Sequence, residues 1–351
     1  MTTRQSLDDV APHPLQKGHH TKGTTQYLFV DSCCQIWPDT AYEELHEYTP
    51  TAYCITTFRP HDGAENALDE IANWHRIERT YANVRIVRDA EDIVEAKRSG
   101  EVGIVLAAQG GDFIGQNIHR LEMFHAIGLR MMIPAYNARS TLCDGCLEPH
   151  DGGLSRLGKA WVAEANRLGV LIDLTHVGRR STLEILDLTE KPVVFSHSNP
   201  LKLVDNPRNI TDEQIKRAAE TGGLVAVTNW GPLNFRAGST KRPTVEDFID
   251  AIDHVVGLVG IDHVGIGTDM SHGTYPDGDL VRGRSSKSTV GGPYAQHVEG
   301  SPRSRLRYVE GFDDYGQLPQ VVEALSSRGY DEASVRKVLG ENWVRVFKEV
   351  W

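Results

Sequence analysis

The sequence has few of the features that tie a protein to a membrane or to nucleic acid. None of its apolar runs approaches the roughly 18 residues that a membrane span requires, and its first residues lack the apolar core of a signal peptide. Its 37 basic residues are outnumbered by 48 acidic ones, which gives a net charge of −11. Because this charge repels phosphate groups, we expect neither nucleic acid nor a membrane as a partner.

Cysteine is also scarce, with five in 351 residues. Their odd number, together with the lack of a secretory signal, favours a reducing compartment, so we expect a cytoplasmic protein. Cys143 and Cys146 form one CxxC pair, but the sequence has no second pair of the kind that a zinc ribbon needs. We expect this pair to shape a pocket, with a disulfide between the two residues as the alternative.

The sequence instead shows a regular alternation of short apolar runs with amphipathic segments. The apolar runs are predicted strands, and they occupy residues 27–31, 52–58, 102–107, 129–135, 171–175, 193–196, 223–228 and 264–269. Eight strands alternating with helices over roughly 250 residues are typical of a (β/α)8 TIM barrel. A doubly wound open sheet is the alternative, but its first turn usually carries GxGxxG, and here the first strand leads into DSCCQ.

The predicted barrel occupies most of the chain as one domain. Residues 1–25 are a polar N-terminal lead-in, and residues 26–351 form a single barrel domain. A segment rich in Gly, Ser, Arg and Pro, at about 272–310, follows the eighth strand. Long insertions at this edge of a barrel usually cover the site, so we expect a lid, with disorder as the alternative.

Polar side chains follow several of the predicted strands. His176 follows the strand LIDLT and His197 follows the strand VVFS, so a right-handed β-α-β unit places both at the carboxyl edge of the barrel. Asp269 ends the eighth strand, and Arg208 lies in the loop after the sixth. Two histidines and an aspartate facing one cavity suit a divalent metal or acid/base chemistry. An arginine beside them suits a carboxylate, which its guanidinium grips with two parallel hydrogen bonds.

Several motifs resemble the membrane (renal) dipeptidases, a family of metal-dependent, amidohydrolase-like barrels. They are LIDLTHVG, PVVFSHS, NPRN, VGIGTD and the closing GENWVRVF, and a weaker resemblance runs from 27 to 351. It implies a barrel of the metal-dependent-hydrolase type with two zinc ions, often as a homodimer. It further implies that His176 and His197 bind the second metal, that Arg208 holds the substrate carboxylate, and that Asp269 handles protons.

The sequence departs from this family at the first metal site. The His-x-Asp pair expected on the first strand is replaced by Cys33 and Gln35. Gln109, in AAQGG, stands where the resemblance predicts a carboxylate that bridges the two metals, and Tyr136 stands where it predicts a histidine. A neutral amide cannot hold two dications as a carboxylate does, because it removes a negative charge from between them.

We therefore predict a hydrolase with a reduced metal centre that cleaves an amide-like bond in a small carboxylate-bearing substrate. One zinc ion would be bound by His176 and His197 and completed by Gln109, Cys33, Asp269 or water. Tyr136 would contact the substrate, as would Arg208. Two alternatives remain: an enzyme without metal, of the lyase or isomerase type, and a non-catalytic protein that binds a small molecule.

Overall fold

The computed structural model describes residues 27–47, 50–239, 241–273 and 307–351. Within these residues, ten strands form one parallel sheet. The strands are β1 (Val30–Ile36), β2 (Ala52–Thr56), β3 (Val84–Ile86), β4 (Val102–Gln109), β5 (Leu129–Ile133), β6 (Leu171–Asp173), β7 (Val193–Phe195), β8 (Leu224–Val227), β9 (Val264–Ile266) and β10 (Met270–His272). Their order is β10-β1-β2-β4-β5-β6-β7-β8-β9, and β3 pairs with β4 outside this path.

The sheet closes through its last two strands. β9 pairs with β8, and β10, which follows after a three-residue break at 267–269, pairs with β1 so that Met270 lies opposite Cys34. β9 and β10 are therefore two halves of one barrel strand. Counted in this way, the described sheet has the eight positions of the predicted (β/α)8 barrel, and the predicted fold is confirmed.

Helices connect the strands and cover the outside of the barrel. They are α1 (Ala64–Thr80), α2 (Ala90–Ser99), α3 (Arg120–Ala126), α4 (Arg156–Leu168), α5 (Arg179–Leu188), α6 (Asp212–Glu220), α7 (Gly231–Asn234), α8 (Val245–Val259), α9 (Leu318–Ser327), α10 (Glu332–Arg336) and α11 (Asn342–Val350). In α4, for example, Trp161, Val162 and Ala165 are buried at the spacing of one helical face. α6 begins at a capping box in which Thr211 and Gln214 satisfy each other's backbone N–H groups.

The first strand differs from its prediction. β1 continues to Ile36, beyond the predicted end at Asp31, and its pairing with β2 shifts register between Asp31 and Cys34. The polar residues after Asp31 stay in the strand because their side chains hydrogen-bond inside the barrel. The Ser32 hydroxyl donates to the carbonyl oxygen of Ser196, 2.6 Å away across the barrel. Sequence patterns also missed β3, whose three residues are too few to form a recognisable run.

Only the two ends of the predicted lid lie within the described residues. His272 belongs to β10, inside the barrel, and Tyr308 and Glu310 form bridges to the segments around Trp230 and Thr244. The rest of the predicted lid, and the predicted lead-in at 1–25, lie outside the described residues. None of the helices described here has the length and apolar character that a membrane crossing requires.

Candidate active site

Two buried imidazoles meet at the carboxyl ends of β6 and β7. The Nε2 atoms of His176 and His197 lie 3.0 Å apart. The other nitrogen of each ring is also held, since Nδ1 of His176 lies 2.6 Å from Oδ1 of Asn137 and Nδ1 of His197 lies 2.7 Å from Oγ of Ser196. Both rings are therefore fixed on both sides, with their Nε2 atoms converging on one point.

The surroundings of this pair keep both imidazoles neutral. Burial lowers the pKa of His176 and of His197 well below the ordinary histidine value, and the positive charge of Arg208 lowers both further. The Asn137 carbonyl oxygen accepts the Nδ1–H of His176, so Nε2 of that ring presents its lone pair. Two neutral imidazoles with converging Nε2 atoms can share one proton between them or ligate one cation together.

A second cluster joins Cys33, Gln109 and Asp269. The Gln109 amide donates from Nε2 to the Cys33 sulfur at 3.2 Å, and the Cys33 thiol donates to Oδ1 of Asp269 at 3.5 Å. Gln35 donates to the same carboxylate oxygen at 3.4 Å. Burial raises the pKa of the Cys33 thiol well above its usual range, and the carboxylates of Asp269 and Asp31 raise it further. Cys33 is therefore a thiol and a hydrogen-bond donor in this cluster.

Asp269 is a buried carboxyl group near the positive charges of Arg208 and Arg307. Burial raises its pKa above the usual aspartate value, and the charge of Arg208 opposes that rise. The Tyr308 hydroxyl donates to the Asp269 backbone carbonyl at 3.0 Å. A buried carboxyl group with a raised pKa is suited to accept and return protons near neutral pH.

Arg208 is only 3% exposed, and no carboxylate among the described residues forms an ion pair with it. Its guanidinium donates from Nη2 to the His197 carbonyl oxygen at 3.4 Å, which places it beside the imidazole pair. Its own backbone N–H donates to Oδ1 of Asn206, fixing the loop. A buried guanidinium costs several kcal/mol unless an anion accompanies it, so this position is suited to bind one.

Tyr136 and Cys146 line the same region. The Tyr136 ring packs on the His176 ring with 4.0 Å between centroids. The Cys146 thiol donates to Oδ1 of Asn137 at 3.5 Å, and Arg208 partly offsets the rise that burial causes in the pKa of Cys146. All five cysteines are free, so the alternative disulfide between Cys143 and Cys146 is not formed.

Backbone strain is concentrated at this site. Among the described non-glycine residues, those with a positive φ are Asn137 at 61°, His176 at 68° and Asp269 at 55°. Such a conformation costs of the order of 1 kcal/mol or more and persists only where the surroundings enforce it. Gly145 is part of this enforcement, since a Cβ there would lie 2.2 Å from the Asn137 backbone, and Gly145 allows the loop to approach that closely.

The described residues suit a cation at one half of the site only. The converging Nε2 atoms of His176 and His197 are nitrogen donors of the kind that zinc prefers. In the other half, the Gln109 amide directs an N–H group at the Cys33 sulfur, and the Cys33 thiol donates to Asp269, so these groups hydrogen-bond one another. Nowhere in the described ranges do three or more His, Cys, Asp or Glu side chains come together in a group that could hold a metal ion.

The structure thus distributes the predicted site residues over two clusters, with Arg208 beside the first and Tyr136 on the His176 ring. Sequence reasoning gave no role to Asn137 or Ser196, although each contacts a predicted site residue. Asn137 follows Tyr136 directly at the end of a strand, and this position was the one signal available for it.

The model of the membrane dipeptidase family, peptidase family M19, matches residues 33–280 and 290–351. The chain belongs to this family. The crystal structure of an amidohydrolase from Pseudomonas aeruginosa is 31% identical, with a TM-score of 0.82 over 93% of this chain and 98% of that one. This likeness agrees with the barrel fold and with the hydrolase class of the family.

Two further proteins that are similar to this chain carry peptidase names. A metallopeptidase from Rhodobacter sphaeroides, solved with a phosphinate mimic of the dipeptide L-Ala-D-Ala, is 25% identical with a TM-score of 0.67, covering 84% of this chain and 78% of that one. The dipeptidase tcpJ of Claviceps purpurea is 28% identical over 83% of this chain. The M19 chain described here spans 61% of tcpJ and between 50% and 62% of three such curated relatives.

Proposed function

We propose that this M19 protein hydrolyses an amide-type bond in a small molecule that carries a free carboxylate. The observation that carries the proposal is Arg208, a buried guanidinium with no carboxylate partner in the described part of the chain, directly beside the imidazole pair. A carboxylate entering this position would gain two charge-assisted hydrogen bonds and would compensate a buried charge. The substrate would thereby be oriented with its adjacent bond toward His176 and His197.

Each group near Arg208 then has a role. The Tyr136 ring, which packs on His176, forms a wall for the substrate. His176 and His197 would hold one divalent cation, which we propose to be zinc and which would supply Lewis-acid chemistry at the scissile bond. Asp269, with its raised pKa, accepts a proton from the attacking water and returns it to the leaving amine.

The test is a substrate panel with matched variants. Dipeptides and N-acyl amino acids, each with a free carboxylate and as the corresponding carboxamide, would be assayed with the wild type and with His197→Ala. His119→Ala, a change at the exposed N-cap histidine of α3, is the matched control. We expect hydrolysis of carboxylate substrates by the wild type and by His119→Ala, with loss in His197→Ala.

Hydrolysis that survives His197→Ala would exclude the proposed centre. Binding of the same carboxylates without turnover would instead support the non-catalytic alternative, and elimination or isomerisation products would support an enzyme without metal. A cytoplasmic location and the lack of a membrane or nucleic-acid partner, expected from the composition, stay predictions, as does the homodimer that the family resemblance implies.

A further inference from the structure

Two fully buried aspartates lie in the barrel next to the site, and the proposed reaction uses neither of them. Asp173 ends β6 and Asp31 lies in β1, and both are 0% exposed. Neither forms an ion pair with a described residue. Burial raises the pKa of both carboxyl groups. An aspartate is costly at such a position, so its hydrogen bonds indicate what it does there.

Asp173 connects the ends of the two strands that carry the histidines. Its Oδ1 accepts the backbone N–H of Thr175, 3.0 Å away on its own strand, and the backbone N–H of Ser196, 3.0 Å away on the neighbouring one. Thr175 directly precedes His176, and Ser196 directly precedes His197. One carboxylate oxygen therefore fixes the separation of the two backbones from which the imidazoles project.

Asp31 makes the same arrangement in the other cluster. Its Oδ1 accepts the backbone N–H of Cys33 at 3.2 Å, two residues along its own strand, and that of Thr268 at 2.8 Å. Thr268 directly precedes Asp269. Its second oxygen accepts the Tyr315 hydroxyl at 2.6 Å. Both aspartates therefore show the same pattern. Each accepts the backbone N–H of the residue two positions later, and each accepts a second N–H from another strand, where the donor directly precedes a site residue.

The backbone strain follows the same pattern. His176 and Asp269 have positive φ values of 68° and 55°, and each comes directly after a residue whose N–H is held by one of these aspartates. A left-handed conformation at a non-glycine residue needs such an external restraint. The hydrogen bonds of Asp173 and Asp31 supply that restraint at the preceding peptide.

We propose that Asp173 and Asp31 are positioning residues, each of which fixes one half of the site because one of its carboxylate oxygens accepts backbone N–H groups from two strand ends. Asp173 sets the imidazole pair, and Asp31 sets the contact between Cys33 and Asp269. The two halves are then separable, so that damage to one leaves the other in place.

Substituting Asn or Ser for Asp173 and for Asp31 tests the positioning role of each aspartate separately. Asn keeps an oxygen that accepts both N–H groups. At Asp173 it removes only the charge, whereas at Asp31 its NH2 group also replaces the oxygen that accepts the hydroxyls of Thr268 and Tyr315. Ser is one bond shorter, and its hydroxyl accepts the N–H of residue i+2 in a local turn but does not reach the neighbouring strand. Asp173→Ser and Asp31→Ser therefore remove the bond between strands while keeping the local one, which favours a folded protein.

The first readout is independent of catalysis. In crystal structures, we expect Asp173→Ser to change the Nε2 to Nε2 distance of His176 and His197 and to leave the contact between Cys33 and Asp269 unchanged. Asp31→Ser should do the reverse. Histidine ring signals in ¹⁵N NMR spectra give the same comparison in solution, with a change in Asp173→Ser and none in Asp31→Ser. Asp173→Asn should resemble the wild type, and Asp31→Asn should disturb its half of the site less than Asp31→Ser does.

The second readout is kinetic and rests on the proposed function. Asp173→Ser should lower kcat about 10-fold or more while KM stays within about twofold, because the loop that carries Arg208 is fixed by its own hydrogen bond to Asn206. If neither Ser variant moves its own half of the site, or if each Asn variant disturbs it as much as Ser does, the positioning role is excluded. Unchanged geometry overturns this inference, whereas changed geometry in a protein with no hydrolytic activity overturns only the proposed reaction.

Discussion

The Nε2 atoms of His176 and His197 lie 3.0 Å apart at the ends of adjacent strands, and the other nitrogen of each ring is held by Asn137 or Ser196. This relationship makes the two rings a single functional unit. Their Nε2 atoms face each other, and no third histidine, cysteine or carboxylate of the described chain joins them in a metal-binding group. The chemistry of the site therefore depends on whether this pair shares one proton or binds one cation.

The first prediction concerns Arg208. Arg208→Met should reduce kcat/KM for carboxylate substrates about 100-fold or more, because two charge-assisted hydrogen bonds are lost. The same change should have little effect on the corresponding carboxamides, which the wild type already uses poorly. Arg179→Met, at an exposed arginine paired with Glu213 on the barrel surface, is the control. Equal losses for both substrate classes would contradict a carboxylate-binding role.

A second prediction concerns the restraint on the His176 ring. Asn137→Gly removes the oxygen that accepts Nδ1–H but tolerates the φ of 61°, so the backbone need not rearrange. We expect a loss of about 10- to 100-fold in activity, as is common when the partner of a functional imidazole is removed. Asn137→Asp, which keeps an accepting oxygen, should retain more activity, and a Gly variant as active as the wild type would rule out this restraint.

A third prediction is a pH dependence of stability from His272. This side chain is buried, its Nε2 lies 2.9 Å from the Tyr53 hydroxyl, and burial lowers its pKa to about 4. As pH falls from about 6.5 to about 4, the unfolded chain binds a proton at this histidine and the folded chain does not. The free energy of unfolding should therefore fall over this range, by about 3 kcal/mol from this group.

The measurement is denaturant unfolding of the wild type and His272→Gln between pH 4 and pH 7. The Gln amide oxygen accepts the Tyr53 hydroxyl and does not titrate. As pH falls, the free energy of unfolding should therefore fall more for the wild type than for His272→Gln. His119→Gln, at an exposed position, should follow the wild type. A constant difference across the range would contradict the lowered pKa.

The strand pattern was enough to predict the barrel and to place His176, His197, Arg208 and Asp269, because residues at the carboxyl ends of parallel strands share one face. The bulge in β1 was not predictable, since it depends on hydrogen bonds that Asp31 makes to the break between β9 and β10, more than 200 residues away. His272 was also not predictable, because a single histidine after a strand is usually exposed to solvent. In the structure it lies in β10 and contacts the Tyr53 hydroxyl.

The sequence also could not predict that the site residues form two separate clusters. The departures from the family pattern identify Cys33 and Gln109 as altered positions, but only the structure shows that the amide donates to the thiol and the thiol to Asp269. These orientations depend on burial and on neighbouring charges, which no local pattern encodes. The roles of Asn137 and Ser196 likewise arise from tertiary contacts.

We propose that the Cys33, Gln109 and Asp269 cluster replaces one cation site and that the imidazole pair keeps the other. This proposal is tested by the metal content of the protein purified without added metal, measured by elemental mass spectrometry for the wild type and for His197→Ala. We predict about one equivalent of zinc per chain in the wild type and loss of that metal in His197→Ala. Two equivalents in the wild type, none at all, or one equivalent that survives the His197→Ala substitution would contradict the account.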